Sequence, residues 1–168
     1  MKTFSKMLLL ALTIGILFSG CAREVEAPPD EILKFTISFE KGAYTVGEPI
    51  ECKMILENQT RKPITVNQRF AVNEETGIHD VFFIIYDPSG NRLPFLLRAK
   101  VGFPRKENFV TLDPGDLTVW VCELSKRYDF SSKGEYTVQA VYESEFVPEG
   151  IEAWKGKLSS NIVKLTIR

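Results

Sequence analysis

Leu112-Asp-Pro-Gly-Asp-Leu-Thr-Val-Trp-Val-Cys-Glu-Leu124 and Gly134-Glu-Tyr-Thr-Val-Gln-Ala-Val-Tyr142 decide the fold. Each holds a strand-like run, 117–124 and 135–142, and a polar connection of nine residues, 125–133, joins them. Val138, Ala140 and Tyr142 alternate after Tyr136, the pattern of a strand with one buried face. A tyrosine at that position suits a tyrosine corner: the ring packs at the edge of a β-sandwich while its hydroxyl bonds back to the connection before it.

Working outward, the same period-two pattern recurs. Leu33, Phe35, Ile37 and Phe39 share one face of a run; Ile50, Cys52, Met54 and Leu56 share one face of the next. A third strand is expected over 64–70, extending toward Val72, and a fourth over 81–86, apolar on both faces and so covered from both sides or close to a rim element. Asp87-Pro-Ser-Gly90 is a turn, with Pro88 presetting φ and Gly90 accepting a left-handed exit, and 91–97 is the expected hairpin partner. Residues 109–112 lead into the opening stretch and 161–167 close the chain, whereas 98–108 is the least regular interior segment. The predicted class is all-β, an antiparallel sandwich of about seven to nine strands, with no amphipathic helix.

The composition fits one globular domain: 168 residues, 44% hydrophobic, with 12 Phe and 5 Tyr favouring strands. Lys+Arg 21 against Asp+Glu 22 leaves a net charge of -1, without the basic excess that tracking a nucleic-acid backbone requires. At the N-terminus, Lys2 and Lys6 precede an apolar run over 7–18, too short to span a bilayer and suited to an export signal. It ends Phe18-Ser-Gly-Cys21, which resembles the lipobox of bacterial lipoproteins, with Phe18 standing where the family usually has Leu. The resemblance implies a signal peptide over 1–20, acyl chains (palmitate among them) on Cys21, a Pro-containing tether over 21–31 and a folded domain over 32–168. The alternative is plain secretion after cleavage at a small residue. Lipidation would place the domain on the extracytoplasmic side of the cell envelope, and Ala22 after the cysteine favours the outer membrane where two membranes exist.

Tyr44-Thr-Val-Gly-Glu-Pro-Ile50 followed by Asn58 resembles the opening strand pair of immunoglobulin-like modules, including macroglobulin-type domains and small bacterial proteinase-inhibitor-like domains. Leu112-Asp-Pro-Gly-Asp116, Glu123-Leu-Ser-Lys-Arg-Tyr-Asp-Phe-Ser131, Gly134-Glu-Tyr-Thr-Val138 and Trp154-Lys-Gly156 are similar to the non-catalytic N-terminal domain of peptidyl-lysine metalloendopeptidases. The zinc-binding His-Glu-x-x-His of those peptidases is absent, since the chain holds a single histidine, so the resemblance implies the accessory module alone. Val138 stands where an antibody domain has its second core cysteine, and no tryptophan falls on the third strand.

The candidate sites are few. Cys52 and Cys122 lie on strands that such a topology makes neighbours, and form either a disulfide or two buried thiols. His79-Asp80, with Glu74 and Glu75, is the single cluster resembling a catalytic or metal site, against a solvated loop. Arg98, Lys100, Arg105 and Lys106 surround Phe103 in the irregular segment. Phe146, Ile151 and Trp154 stand among acids in a long connection before the last strand, where Trp154 either binds a partner or caps the core. The functional expectation is a membrane-anchored, non-enzymatic module, without metal or cofactor, that binds a protein or peptide through end loops. Inhibition of a proteinase and an assembly role in the envelope are the alternatives.

Overall fold

A computed structural model describes residues 33–97 and 100–168. The signal, Cys21, the tether and Arg98 lie outside the described residues. The described residues form ten strands: β1 (Leu33–Phe39), β2 (Ala43–Tyr44), β3 (Glu51–Asn58), β4 (Ile64–Asn67), β5 (Val81–Tyr86), β6 (Phe109–Leu112), β7 (Leu117–Glu123), β8 (Gly134–Ser144), β9 (Gly156–Ser159) and β10 (Val163–Ile167). One sheet has the order β1-β3-β7; the other has β2-β10-β8-β5, with β9 also on β8. All pairings are antiparallel except the short β2–β10 contact. This is the all-β, antiparallel sandwich expected from the alternating runs.

The core lies where the inner faces meet. Phe35, Ile37, Met54 and Leu56 from the first sheet face Phe83, Ile85, Val138, Ala140, Tyr142 and Leu165 from the second, all buried. The ribbon β4–β6 continues from β3 and β7 beyond two turns. It spans both sheets, because Asn58 donates from Nδ2 to the Leu112 carbonyl at 2.9 Å, while the Tyr142 hydroxyl donates to the Asn67 carbonyl at 2.8 Å. Phe35 packs 5.8 Å from Tyr142, ring to ring, so Leu33 enters the domain at the end where β8 finishes.

The connection after β7 changes sheets through a 3-10 turn at Leu124–Lys126 and seats Tyr128 and Phe130 in the core. The Tyr136 ring is buried 5.1 Å from Phe130, and its hydroxyl donates to the Ser132 carbonyl at 2.8 Å. Desolvation raises the phenol above its ordinary pKa, so it stays a donor. Gly134 just upstream has φ 133°, and a Cβ there would meet Pro88 at 2.7 Å; backbone geometry and the approach of the 87–90 turn both demand glycine.

Three expectations change. The strand over 64–70 stops at Asn67, because Phe70 takes φ 48° and turns the chain. Residues 91–97 do not form a strand; they cover the β5 edge through a Tyr86–Arg92 bridge and a bond from Leu93 N–H to the Ile85 carbonyl at 2.8 Å. β2 and β9, two and four residues long, bring the count to ten. The apolar outer face of β5 is explained by Phe82, which is covered by the His79 ring at 5.1 Å and the Lys157 ammonium at 5.5 Å.

Replacing Tyr136 with Phe deletes the bond to Ser132 and leaves that carbonyl short of a donor. Stability should fall by about 1–2 kcal/mol, read as a lower urea midpoint at unchanged slope.

Candidate functional site

Asp80, the residue before β5, is buried and accepts four bonds. Its Oδ1 accepts from Asn67 Nδ2 at 2.7 Å and Arg69 Nη2 at 2.8 Å; its Oδ2 accepts from Arg69 Nε at 2.6 Å and Ala71 N–H at 2.8 Å. A two-pronged guanidinium contact and a backbone donor satisfy the carboxylate where water cannot reach it. Arg69 and Ala71 flank Phe70, so the clamp holds a bulky residue in the left-handed region that L-residues avoid. Phe70 then points inward, 5.7 Å from Tyr142 and 6.4 Å from Phe35. Arg69 has one arm left over: Nη1 donates to the Gly102 carbonyl at 2.6 Å. That bond fixes the irregular segment beside Phe103.

The connection after β8 descends over the same place. Phe146 leaves Ser144, the last residue of β8, by two positions and meets Phe103 edge to face, with centroids 4.9 Å apart and planes at 68°. Both rings remain open to solvent, Phe103 at 60% and Phe146 at 46% exposure. The two loops abut again at Gly150 and Lys106, where a Cβ on Gly150 would lie 3.4 Å from the lysine Nζ. Lys100, Arg105 and Lys106 are exposed on one loop, and Glu145 and Glu149 on the other. An aromatic pair therefore stands at one end of the sandwich, flanked on one side by a mainly cationic loop, with Glu107 beside Arg105, and on the other by acids.

Beside Phe146 lies a groove of 290 Å³ lined by Glu75, His79, Glu143 and Glu145 among others. His79 contacts the Gly77 carbonyl through Nδ1 at 2.7 Å and stands 3.4 Å from Glu143 Oε2 through Nε2. Lys157 Nζ reaches the same carboxylate at 2.8 Å. Burial opposes ionisation of Glu143, but hydrogen bonds, that from Lys157 the largest, outweigh it and hold the carboxyl below its ordinary value. His79 and Asp80 do not form a unit: His79 covers the outer face of β5, while Asp80 turns inward to Arg69. Among the described residues no three His, Cys, Asp or Glu side chains converge as a metal site requires.

Trp154 and Ile151 stand apart from the aromatic pair. The Trp154 ring stacks on Tyr142 at 5.8 Å, the residue's backbone N–H donates to the Thr65 carbonyl at 2.8 Å, and the six-membered ring leaves no room for a Cβ at Gly156. It closes the core end. Ile151 is half-buried in the same connection. Cys52 and Cys122 are directly opposed on β3 and β7, and both are free, buried thiols. Bonds from Leu124 N–H to the Ile50 carbonyl and from Asn58 N–H to the Asp116 carbonyl fix the same register. The cysteines therefore form a hydrogen-bonded pair, with Cα atoms about 5.5 Å apart and side chains wider than at the alternate sites. Burial raises both thiols, Cys122 to about 11 and Cys52 further.

The clamp at Asp80 and the contact between Phe103 and Phe146 escape sequence reading, the latter because its partners are far apart in the chain. An aspartate opening an apolar strand, with Asn67 and Arg69 before a phenylalanine, is the trace the clamp leaves. No family model matches the chain, and no match to it is found among curated proteins.

Asp80→Ala should destabilise the domain by about 3–5 kcal/mol, since it strands the half-buried Arg69 charge. Limited proteolysis should then cut first within 69–80 or beside Phe103. Iodoacetamide at neutral pH should leave Cys52 and Cys122 unmodified in the native protein and alkylate both in denaturant, as peptide mass mapping would record.

Proposed function

We propose that the chain is a lipid-anchored, extracytoplasmic immunoglobulin-like module that acts by binding a protein or peptide, without catalysis. The observation supporting this reading is the paired, exposed rings of Phe103 and Phe146, brought together from two loops and held by the Arg69 bond to Gly102. Apolar rings packed on one another in the open form a knob that a partner's pocket can desolvate, and aromatic residues are enriched at such contacts. The surrounding charges of both signs form a polar rim that orients the partner. Among the described residues no Ser, Thr or Cys bonds to His79, and both its ring nitrogens face groups that hold it in place. The lipid anchor is supported by the sequence Phe18-Ser-Gly-Cys21.

Crosslinking in the native envelope, followed by mass spectrometry, tests both parts. Phe103→Ala with Phe146→Ala should preserve the circular dichroism spectrum and lower crosslink yield to the partner about a hundredfold. Unchanged crosslinks would exclude the aromatic pair as the binding surface. Cys21→Ser should release the protein from the membrane fraction; continued attachment would exclude the anchor.

A further inference from the structure

Nearly every strand edge in the domain is closed or short. On the outer edge of β1, the Asn161 side chain acts as a surrogate strand: its Oδ1 accepts from Ile37 N–H at 2.9 Å and its Nδ2 donates to the Ile37 carbonyl at 3.0 Å. Residues 91–97 cover β5, Trp154 bonds to β4, and the edges at β2, β6 and β9 are only two to four residues long. Such devices keep sheets from pairing with other chains.

β7 has none of them. It is the rim of the three-stranded sheet and seven residues long. Its even-numbered residues bond to β3, so the N–H and C=O groups of Leu117, Val119 and Val121 point away from the sheet. No other bond reaches these groups among the described residues. Neither charge nor proline interrupts the strand from Leu117 to Cys122. Leu117, Val119, Trp120 and Val121 are 54%, 40%, 49% and 51% exposed. By contrast, the outer strand of the opposite rim carries Lys34 and Ser38 on its exposed face.

We infer that β7 is a self-association edge: two copies of the chain join through it as an antiparallel, two-fold pair centred on Trp120. The charges flanking the strand select this partner. Asp113 and Asp116 stand exposed before it, and Lys126 and Arg127 follow it. A two-fold axis at Trp120 brings the end of one strand that carries Asp113 and Asp116 to the end of the other that carries Arg127 and Lys126, the latter capping Glu123 of its own chain at 2.7 Å, so opposite signs meet at both ends. Between the ends, Val119 and Val121 exchange backbone bonds with Val121 and Val119 of the second copy. The two Trp120 residues fall opposite each other at a non-hydrogen-bonded site, where side chains approach most closely. Glu123 faces Leu117, and its carboxylate is paired with Lys126 of its own chain at 2.7 Å. Its carbonyl already accepts from Arg127 Nη1 at 3.1 Å, which ends the ladder there. The joined sheets form a six-stranded sheet across the dimer, with a continuous outer stripe of Leu117, Val119 and Val121 from both copies.

Sedimentation equilibrium of the full chain in a non-ionic detergent should report a dimer at micromolar concentration. Val119→Pro removes an outward N–H and no bond to β3, a change that edge strands tolerate; it should keep the circular dichroism spectrum and weaken dimerisation about 100-fold or more. Val121→Lys, which adds the charge found on protected edges, should do the same. Trp120→Cys should give a covalent homodimer under copper-phenanthroline oxidation, and Ile162→Cys, on another exposed apolar position, should not. A monomeric full chain, a dimer that survives both edge variants, or absence of the residue-120 crosslink would each overturn the inference.

Discussion

A single buried carboxylate ties the interior of this domain to the end that exposes Phe103. Asp80 spends both oxygens on Asn67, Arg69 and Ala71. That clamp stops β4, holds Phe70 at φ 48° and drives its ring between Phe35 and Tyr142. The same guanidinium reaches past the clamp to Gly102. A buried ion pair contributes little net stability when both partners are present, because desolvation offsets attraction. Its value here is geometric: it fixes one backbone path out of several, and that path positions both a core aromatic and the loop that displays Phe103.

The two sheets and the corner behave as a rigid frame around that clamp. Inner-face alternation packs β1, β3, β5, β8 and β10 on one another, and the bond from Tyr136 to Ser132 fastens the crossing segment. Trp154 seals the opposite end from inside by stacking on Tyr142. Its large ring belongs to the frame, which leaves display at that end to the two phenylalanines. The division follows from anchorage: the backbone of Trp154 is bonded to β4 and its ring is packed between Tyr142 and Gly156, so it is not free to turn toward a partner.

Much of this frame was legible in the sequence because strand burial leaves a period of two. Leu33 to Phe39, Ile50 to Leu56 and Tyr136 to Tyr142 each declared an inner face, and Gly134 before Tyr136 marked the corner. The end of β4 was not legible. Nothing local says that Phe70 will take a left-handed conformation, since the force that imposes it comes from Asp80, ten residues later. β2 and β9 were hidden because strands of two and four residues are too short to show alternation. Residues 91–97 read as a strand, yet Pro94 lacks the N–H a ladder needs, and the segment serves as a cover. The aromatic pair at Phe103 and Phe146 depends on two loops converging, which composition alone does not encode.

The place where the chain enters the domain carries a consequence for access. Leu33 lies at the end where β8 finishes, the same end that presents Phe103 and Phe146. Cys21 and Ile32 bound a stretch of 12 residues, which spans at most about 40 Å fully extended. If residue 21 is fastened to a bilayer, the knob faces the lipid across a gap no taller than that. Only a ligand slim enough to slide beneath the domain, or one embedded in the same sheet of lipid, could then reach it. The anchor would act as a height gauge, filtering partners by thickness before any side chain touches them.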